Sequence, residues 1–189
     1  MKVEPEPATL MAAQPKNAGL AASAAHRRPA APKASLSLSL QYAVPLTGLP
    51  TRAEFRRWIM AALAHRGPLD KAEITVRIVD ETEGRALNRD FRSRDYATNV
   101  LTFVYSAQTQ LCGDIALCAA VVAREAHERE IALHAHYAHL AVHGALHLQG
   151  YDHEVDSDAE IMEALETATL AKLGFPDPYA GDKPGEVKL

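Results

Sequence analysis

Apolar and polar positions along this chain recur at two periods, and each change of period marks an element. Leu36, Leu38, Leu40 and Tyr42 alternate with Ser37, Ser39 and Gln41, which predicts a strand with one buried face, ended by Pro45. Thr51 then reads as a helix N-cap with Glu54 three residues on, a capping box. Phe55, Trp58, Ile59, Ala62 and Leu63 form a single helical stripe suited to a core, and Gly67-Pro68 breaks that helix. The two-residue period returns from Glu73 to Val79, with Ile74, Val76 and Ile78 on one face. Asp80 caps a helix from about Glu81 to Arg92, whose apolar pair is Leu87 and Phe91.

Val100, Leu101, Phe103 and Val104 predict a third strand. Ile115 to Cys118 predict a fourth, after a loop containing Gly113 and Asp114. Three helical segments follow. The first, from about 119 to 130, carries charges that suggest a largely solvated face; the second runs from about His134 to Gln149. The third is capped by Asp156 or Ser157, carries Ile161, Met162, Leu165, Leu170 and Leu173, and stops at Gly174. The order β-α-β-α-β-β-α-α-α predicts an α+β fold, a four-stranded mixed sheet flanked by about five helices. Crossover connections favour parallel neighbours, and the last two strands pair as an antiparallel hairpin.

Composition adds boundaries to this pattern. Residues 1–34 are rich in Ala and Pro with little periodicity and read as a disordered tail, within which Met11 is a possible alternative start. Residues 35–180 form the one expected domain, and 181–189 a flexible tail. Glu4, Glu6 and Pro7 interrupt the start, so no secretory leader is expected. No apolar run approaches the roughly 18–20 residues of a membrane span. Cys112 and Cys118 are too far apart to bridge if the chain between them is extended, and read as small buried residues in a reducing compartment. The net charge is −4, split as +3 over residues 1–35 and −7 over the rest. A polyanion therefore has to be met by a local basic cleft rather than by the whole surface.

The chemistry concentrates in His143-Gly144-Ala145-Leu146-His147-Leu148-Gln149-Gly150-Tyr151-Asp152-His153. His143 and His147 lie one helical turn apart on one face. Gly150 can end the helix with a positive φ and let the chain turn back, so that His153 reaches the same point. A pair of histidines at this spacing also arises by chance on buried helices. The third behind a well-placed glycine points to a metal, because three imidazoles leave a fourth position open, as in a catalytic zinc site. The spacing resembles the metzincin pattern H-E-x-x-H-x-x-G-x-x-H, a zincin-like metal helix, but Gly144 stands where the peptidase glutamate would be. That argues against peptide hydrolysis. His136 and His139 are read as buried histidines satisfied by neighbours, with a fourth-ligand role as the alternative; Asp152 either orients a ligand imidazole or stabilises the turn.

Arg85, Arg89, Arg92 and Arg94 are the densest basic group. Arg85 and Arg89 read mainly as a solvated helix face, with Arg89 and Arg94 as weaker candidates for contact with a polyanion. Arg92 and Arg94, at the helix end, are placed to grip a phosphate and stabilise its transition state.

With these residues in view, the chain resembles the YbeY family of bacterial endoribonucleases and rRNA maturation factors. The pattern H-G-x-L-H-L-x-G-Y-D-H is matched at every fixed position from His143 to His153. A looser block runs from Phe91 to Phe103, a third at Gly113-Asp114-Ile115, and the likeness continues through Glu163-Ala164-Leu165-Glu166 to Pro178-Tyr179. Departures are Phe91, Arg94, Ala97 and Thr102, where the family has tyrosine, lysine, proline and serine. The resemblance implies a zinc-bound, single-strand-specific endoribonuclease with His143, His147 and His153 as zinc ligands and Arg92 as the functional arginine. It further implies action in the cytoplasm on rRNA, at the 16S rRNA 3′ end and in late 30S assembly, with the small ribosomal subunit and its assembly factors as partners. Two alternatives remain: an assembly factor with a mainly structural zinc, and a metal-dependent hydrolase of a non-RNA substrate.

Overall fold

A computed structural model describes residues 35–66, 69–107, 110–153 and 155–180. The expectations for residues 1–34, Gly67-Pro68 and 181–189 lie outside the described residues. The elements, in chain order, are β1 (Ser35–Tyr42), α1 (Arg52–Leu63), β2 (Lys71–Val79), α2 (Glu81–Arg92), β3 (Val100–Ala107), β4 (Gln110–Cys118), α3 (Ala119–Glu128), α4 (Leu133–Leu148) and α5 (Asp156–Leu173).

The sheet order is β1-β2-β4-β3. β1 pairs with β2 and β2 with β4 in parallel, and β3 closes the sheet antiparallel to β4. The mixed sheet with five helices is therefore as the periodicity predicts. Two boundaries differ. Gly113 and Asp114 lie within β4, paired with Ile74 and Thr75, because the strand begins three residues before them. The N-cap of α5 is Val155, without a side-chain cap, while Asp156 and Asp158 occupy the first turn and face the positive end of the helix dipole.

One face of the sheet carries the core. Leu36 and Leu38 of β1, Ile74, Val76 and Ile78 of β2, and Leu111, Ile115 and Leu117 of β4 are all buried. α1 packs there through Phe55, Trp58 and Ile59, each worth roughly 1.5–3 kcal/mol of burial. Phe55 and Trp58 meet edge to face with ring centroids 5.3 Å apart. The outward carbonyls of edge strand β1 are not left bare: Arg52 donates to Leu38 O at 2.6 Å and Arg56 to Leu36 O at 2.7 Å. This blocks edge-to-edge pairing at those positions.

Helix α4 lies at the centre of the core layer. Eleven of its sixteen residues are buried, so it has no broad solvent face and must be enclosed by other elements. It touches α1, α3, α5, β3 and β4. Across the far end of the sheet a smaller cluster of Val79, Cys118 and Val121 seats α2 through Leu87. Phe91 instead stays exposed and meets Phe103 edge to face, so it does not join the core as the sequence pairing suggests. Cys112 and Cys118 are both free thiols.

The capping box of α1 is formed in both directions: Glu54 N donates to Thr51 Oγ1 at 3.4 Å, and Thr51 N donates to the Glu54 carboxylate at 2.7 Å. Thr51→Ala is expected to lower stability by about 1 kcal/mol, read as a lower urea midpoint at unchanged m-value.

Candidate metal centre

The site begins with how closely α4 can approach the sheet. A Cβ at Gly144 would lie 3.0 Å from Ile115 Cγ2 and 3.3 Å from Thr102 Cγ2. The position that would hold a peptidase glutamate is pressed against β3 and β4 and has no room for one. His143 and His147 flank it on the half-buried side of the helix, with ring centroids 4.5 Å apart. After Leu148 the chain turns through Gly150 at φ +91°, a conformation that favours glycine, and Tyr151 N donates back to Leu146 O. His153 returns to the pair, its ring 5.4 Å from that of His143 and 5.0 Å from that of His147. One nitrogen of each of the three lies within 4.8 Å of the others.

The donor set suits a metal ion for a reason visible in the hydrogen bonds. His143 Nδ1 lies 2.8 Å from Glu166 Oε1, and His147 Nδ1 lies 2.9 Å from Tyr151 O. Both partners are acceptors, so both Nδ1 atoms donate, and in the neutral imidazoles both Nε2 atoms offer lone pairs. Those two Nε2 atoms face each other at 3.1 Å. Lone pairs so close call for a cation between them. The edge of a tetrahedral zinc–imidazole site is about 3.3 Å, given bond lengths of about 2.0–2.1 Å. Among the described residues no fourth protein donor joins this group. Among the described residues Asp152 makes no hydrogen bond to an imidazole ring; its carboxylate accepts from His153 N at 2.8 Å, within the turn.

Glu166 is the residue the sequence reading passed over. It is fully buried, and its carboxylate receives His139 Nε2 at 2.7 Å, His143 Nδ1 and the Tyr179 hydroxyl. Burial pushes this carboxyl up, but the hydrogen bonds from His139 and His143 outweigh that and bring it down to about 2. A signal was present: Glu166 falls four residues after Met162 and four before Leu170, inside the buried stripe of α5. His139 is therefore a buried histidine satisfied by a neighbour, and so is His136, which meets Glu125 at 2.7 Å. Glu125 also accepts from Asn99 at 2.9 Å, which ties α3 and α4 to the start of β3.

The histidines open onto a cleft of about 350 Å³ whose opposite wall includes Arg92, Arg94, Tyr96, Thr98 and Asn99. Ser93, left-handed at φ 56°, ends α2 and turns the chain between the two arginines. Buried Asn88, also unremarked in the sequence, pins the following loop by donating to Tyr96 O at 2.7 Å. Arg92 has no hydrogen bond or ion pair to any described residue, and Arg94 only a 3.3 Å contact with the Tyr96 hydroxyl. Arg85 and Arg89 are spent on Asp95 and Asp90 and line a separate groove on the outer side of α2. The structure thus brings Arg92 and Arg94 to the histidines and leaves Arg89 away from them.

Burial, aided by the neighbouring His143 and His153, holds the His147 imidazole down at about 4 against an ordinary 6.5. Between those values the unfolded chain binds the proton and the folded chain does not. Metal-free protein should therefore gain stability as pH rises from about 4 to 6.5 and lose it on the way down. Glu166 carries the same sign lower, between about 2 and 4.5. Urea melts of metal-free protein at pH 7, 5.5 and 4.5 should show this fall, and His147→Gln should flatten its upper part. Separately, Gly144→Glu should cost about 3 kcal/mol or more and confer no peptidase activity, because it forces a carboxylate against Ile115 and Thr102.

The family model described as Endoribonuclease YbeY matches residues 44–174. The chain is similar to the endoribonuclease YbeY of Methylobacillus flagellatus, 55% identical over 148 residues, covering 78% of this chain and 96% of that one. It is likewise similar to that of Aromatoleum aromaticum, 62% identical over 131 residues, covering 69% and 82%. Among solved structures, the solution structure of TM1509 from Thermotoga maritima aligns with a TM-score of 0.47 at 22% identity, covering 80% of this chain and all of that one. From the extent and identity of these matches, the chain belongs to the endoribonuclease YbeY family.

Proposed function

We propose that this protein is a zinc-dependent endoribonuclease specific for single-stranded RNA, with one zinc per chain. It acts in 16S rRNA 3′-end maturation and late 30S assembly in the cytoplasm, alongside the small ribosomal subunit and its assembly factors. The observation that carries the nuclease reading is the pairing, across one cleft, of three convergent imidazoles with two arginines that have no carboxylate partner among the described residues. The relatives named endoribonucleases support the substrate class. The ribosomal part rests on the family resemblance. Among the described residues no helix is long and apolar enough to cross a membrane.

His143, His147 and His153 would hold the metal. Zinc, when bound, supplies Lewis acidity at the reacting phosphate. Arg92 offers an unspent fork of donors to the phosphate oxygens and offsets the charge that grows on them. Arg94 adds a second positive charge on the same wall. Tyr96, half exposed at the rim, offers a ring against which an unpaired base can stack. The absence of a fourth protein donor among the described residues favours catalysis over a purely structural metal, and the filled position at Gly144 disfavours peptide hydrolysis.

The test is cleavage of a labelled single strand from the 16S rRNA 3′ precursor region. Arg92→Ala should keep its zinc and lose about 100-fold or more in rate. His143→Ala should lose both zinc and cutting, and chelation of the wild type should abolish activity. A cyclic phosphate on the product would identify the adjacent 2′-hydroxyl as the nucleophile; its absence would identify water. Equal cutting by all preparations would defeat the assignment.

A further inference from the structure

Glu166 is the one buried carboxylate among the described residues, and its surroundings are built around it. A buried carboxylate is costly unless its oxygens are hydrogen-bonded, and here three donors converge: His139, His143 and Tyr179. His139 itself carries a penalty, since its Nδ1 is buried with no partner. An apolar side chain at that place on α4 would avoid it. What His139 does contribute is the 2.7 Å hydrogen bond to Glu166 Oε2. His139, His143 and Glu166 could also be read as a second metal cluster. Separations of 2.7–2.8 Å are those of direct hydrogen bonds, however, and leave no place for an ion between the atoms.

Tyr179 reaches Glu166 from the segment beyond α5. Three hydrogen bonds order that segment, one within it and two from residues outside it. Tyr179 N donates to Asp177 Oδ1 at 3.0 Å, Thr167 Oγ1 contacts the same oxygen at 3.2 Å, and Arg129 donates to Pro178 O at 2.8 Å. The Tyr179 ring also packs edge-on against His139, with centroids 5.6 Å apart.

We propose that Glu166 is a positioning residue for the metal centre, and that His139 and Tyr179 hold it in place, so that the segment ending at Tyr179 is part of how the site is built. The inference rests on reading His143 as a metal ligand. By accepting the His143 Nδ1 proton, Glu166 fixes the tautomer that leaves Nε2 free, stops the ring from turning, and makes Nε2 a stronger donor. His147 is fixed by other means, through the main-chain carbonyl of Tyr151. Loss of Glu166 therefore acts directly on His143 and spares the anchor of His147.

The test uses full-length protein, zinc competition against a chelator, and the visible absorption of the cobalt-substituted form. Glu166→Gln should weaken zinc binding by about 10–100-fold and shift the cobalt bands. Tyr179→Phe, which keeps the ring and loses the hydroxyl, should move both readouts the same way by a smaller factor. Thr169→Val, on the same helix as Glu166, removes the part-buried hydrogen bonds of Thr169 Oγ1 with His65 Nε2 and Leu165 O without touching Glu166, and should lower the urea midpoint at unchanged zinc affinity. Wild-type affinity and cobalt bands in folded Glu166→Gln would overturn the inference. Should Glu166→Gln fail to fold, unchanged readouts in Tyr179→Phe would overturn it instead. If His143→Ala binds zinc as tightly as wild type, it is the assignment of the metal centre that fails, and this inference with it.

Discussion

The approach of α4 to the sheet sets everything else in this molecule. The helix lies this close to β3 and β4 because Gly144 presents no side chain to Ile115 and Thr102, and Gly113 none to Leu148. That contact fixes the rotation of the helix. With Gly144 facing the sheet, His143 and His147 must emerge toward the edge where β3 begins. The same edge receives the loop from α2, and so the arginines meet the histidines. A wider spacing would separate the two walls of the cleft.

Placing five histidines along the most buried helix of the core has an electrostatic cost, and two acids offset it for three of them. Glu125 takes the Nε2 of His136, and Glu166 takes those of His139 and the Nδ1 of His143. Each acid is itself satisfied further on, by Asn99 at the start of β3 and by Tyr179 beyond α5. Polar order therefore runs outward from α4 to both the cleft wall and the C-terminal segment. A buried network of this kind, even with the Nδ1 atoms of His136 and His139 unpaired, rigidifies its surroundings. Here it does so around His143, whose ring is held by a carboxylate rather than by the main chain.

Much of this was legible in the sequence because it is encoded at short range. The alternation in β1 and β2, the capping box of α1, and the triad around Gly150 each involve residues within one element or one turn. Phe91 misled because its apolar period continued past the point where α2 still faces the core; Asn88 and Gly84 occupy the buried positions instead. Gly113 and Asp114 misled because loop-forming residue types sit in a strand that is held by neighbours on both sides. Glu166 was hidden for a different reason. Its partners His139, His143 and Tyr179 lie 27, 23 and 13 residues away, so no local pattern announces them. Only a charge inside an apolar stripe hinted at it.

The charge of the whole chain is a poor guide to the cleft, and screening explains why. At physiological ionic strength charges beyond about 8 Å are largely screened, so a phosphate in the cleft responds to the nearest groups rather than to a net charge of −4. The nearest groups include the C-terminal end of α2, whose carbonyls repel an anion. Two of them are covered: Ser93 N donates to Arg89 O and Arg94 N to Asn88 O. Arg92 and Arg94 then add full positive charges just where the helix end is negative. Because the acids nearby, Asp90 and Asp95, are already engaged by Arg89 and Arg85 on the outer face, the two cleft arginines keep their charge for what enters. The paired arginines thus serve the unpaired ones by occupying their competitors.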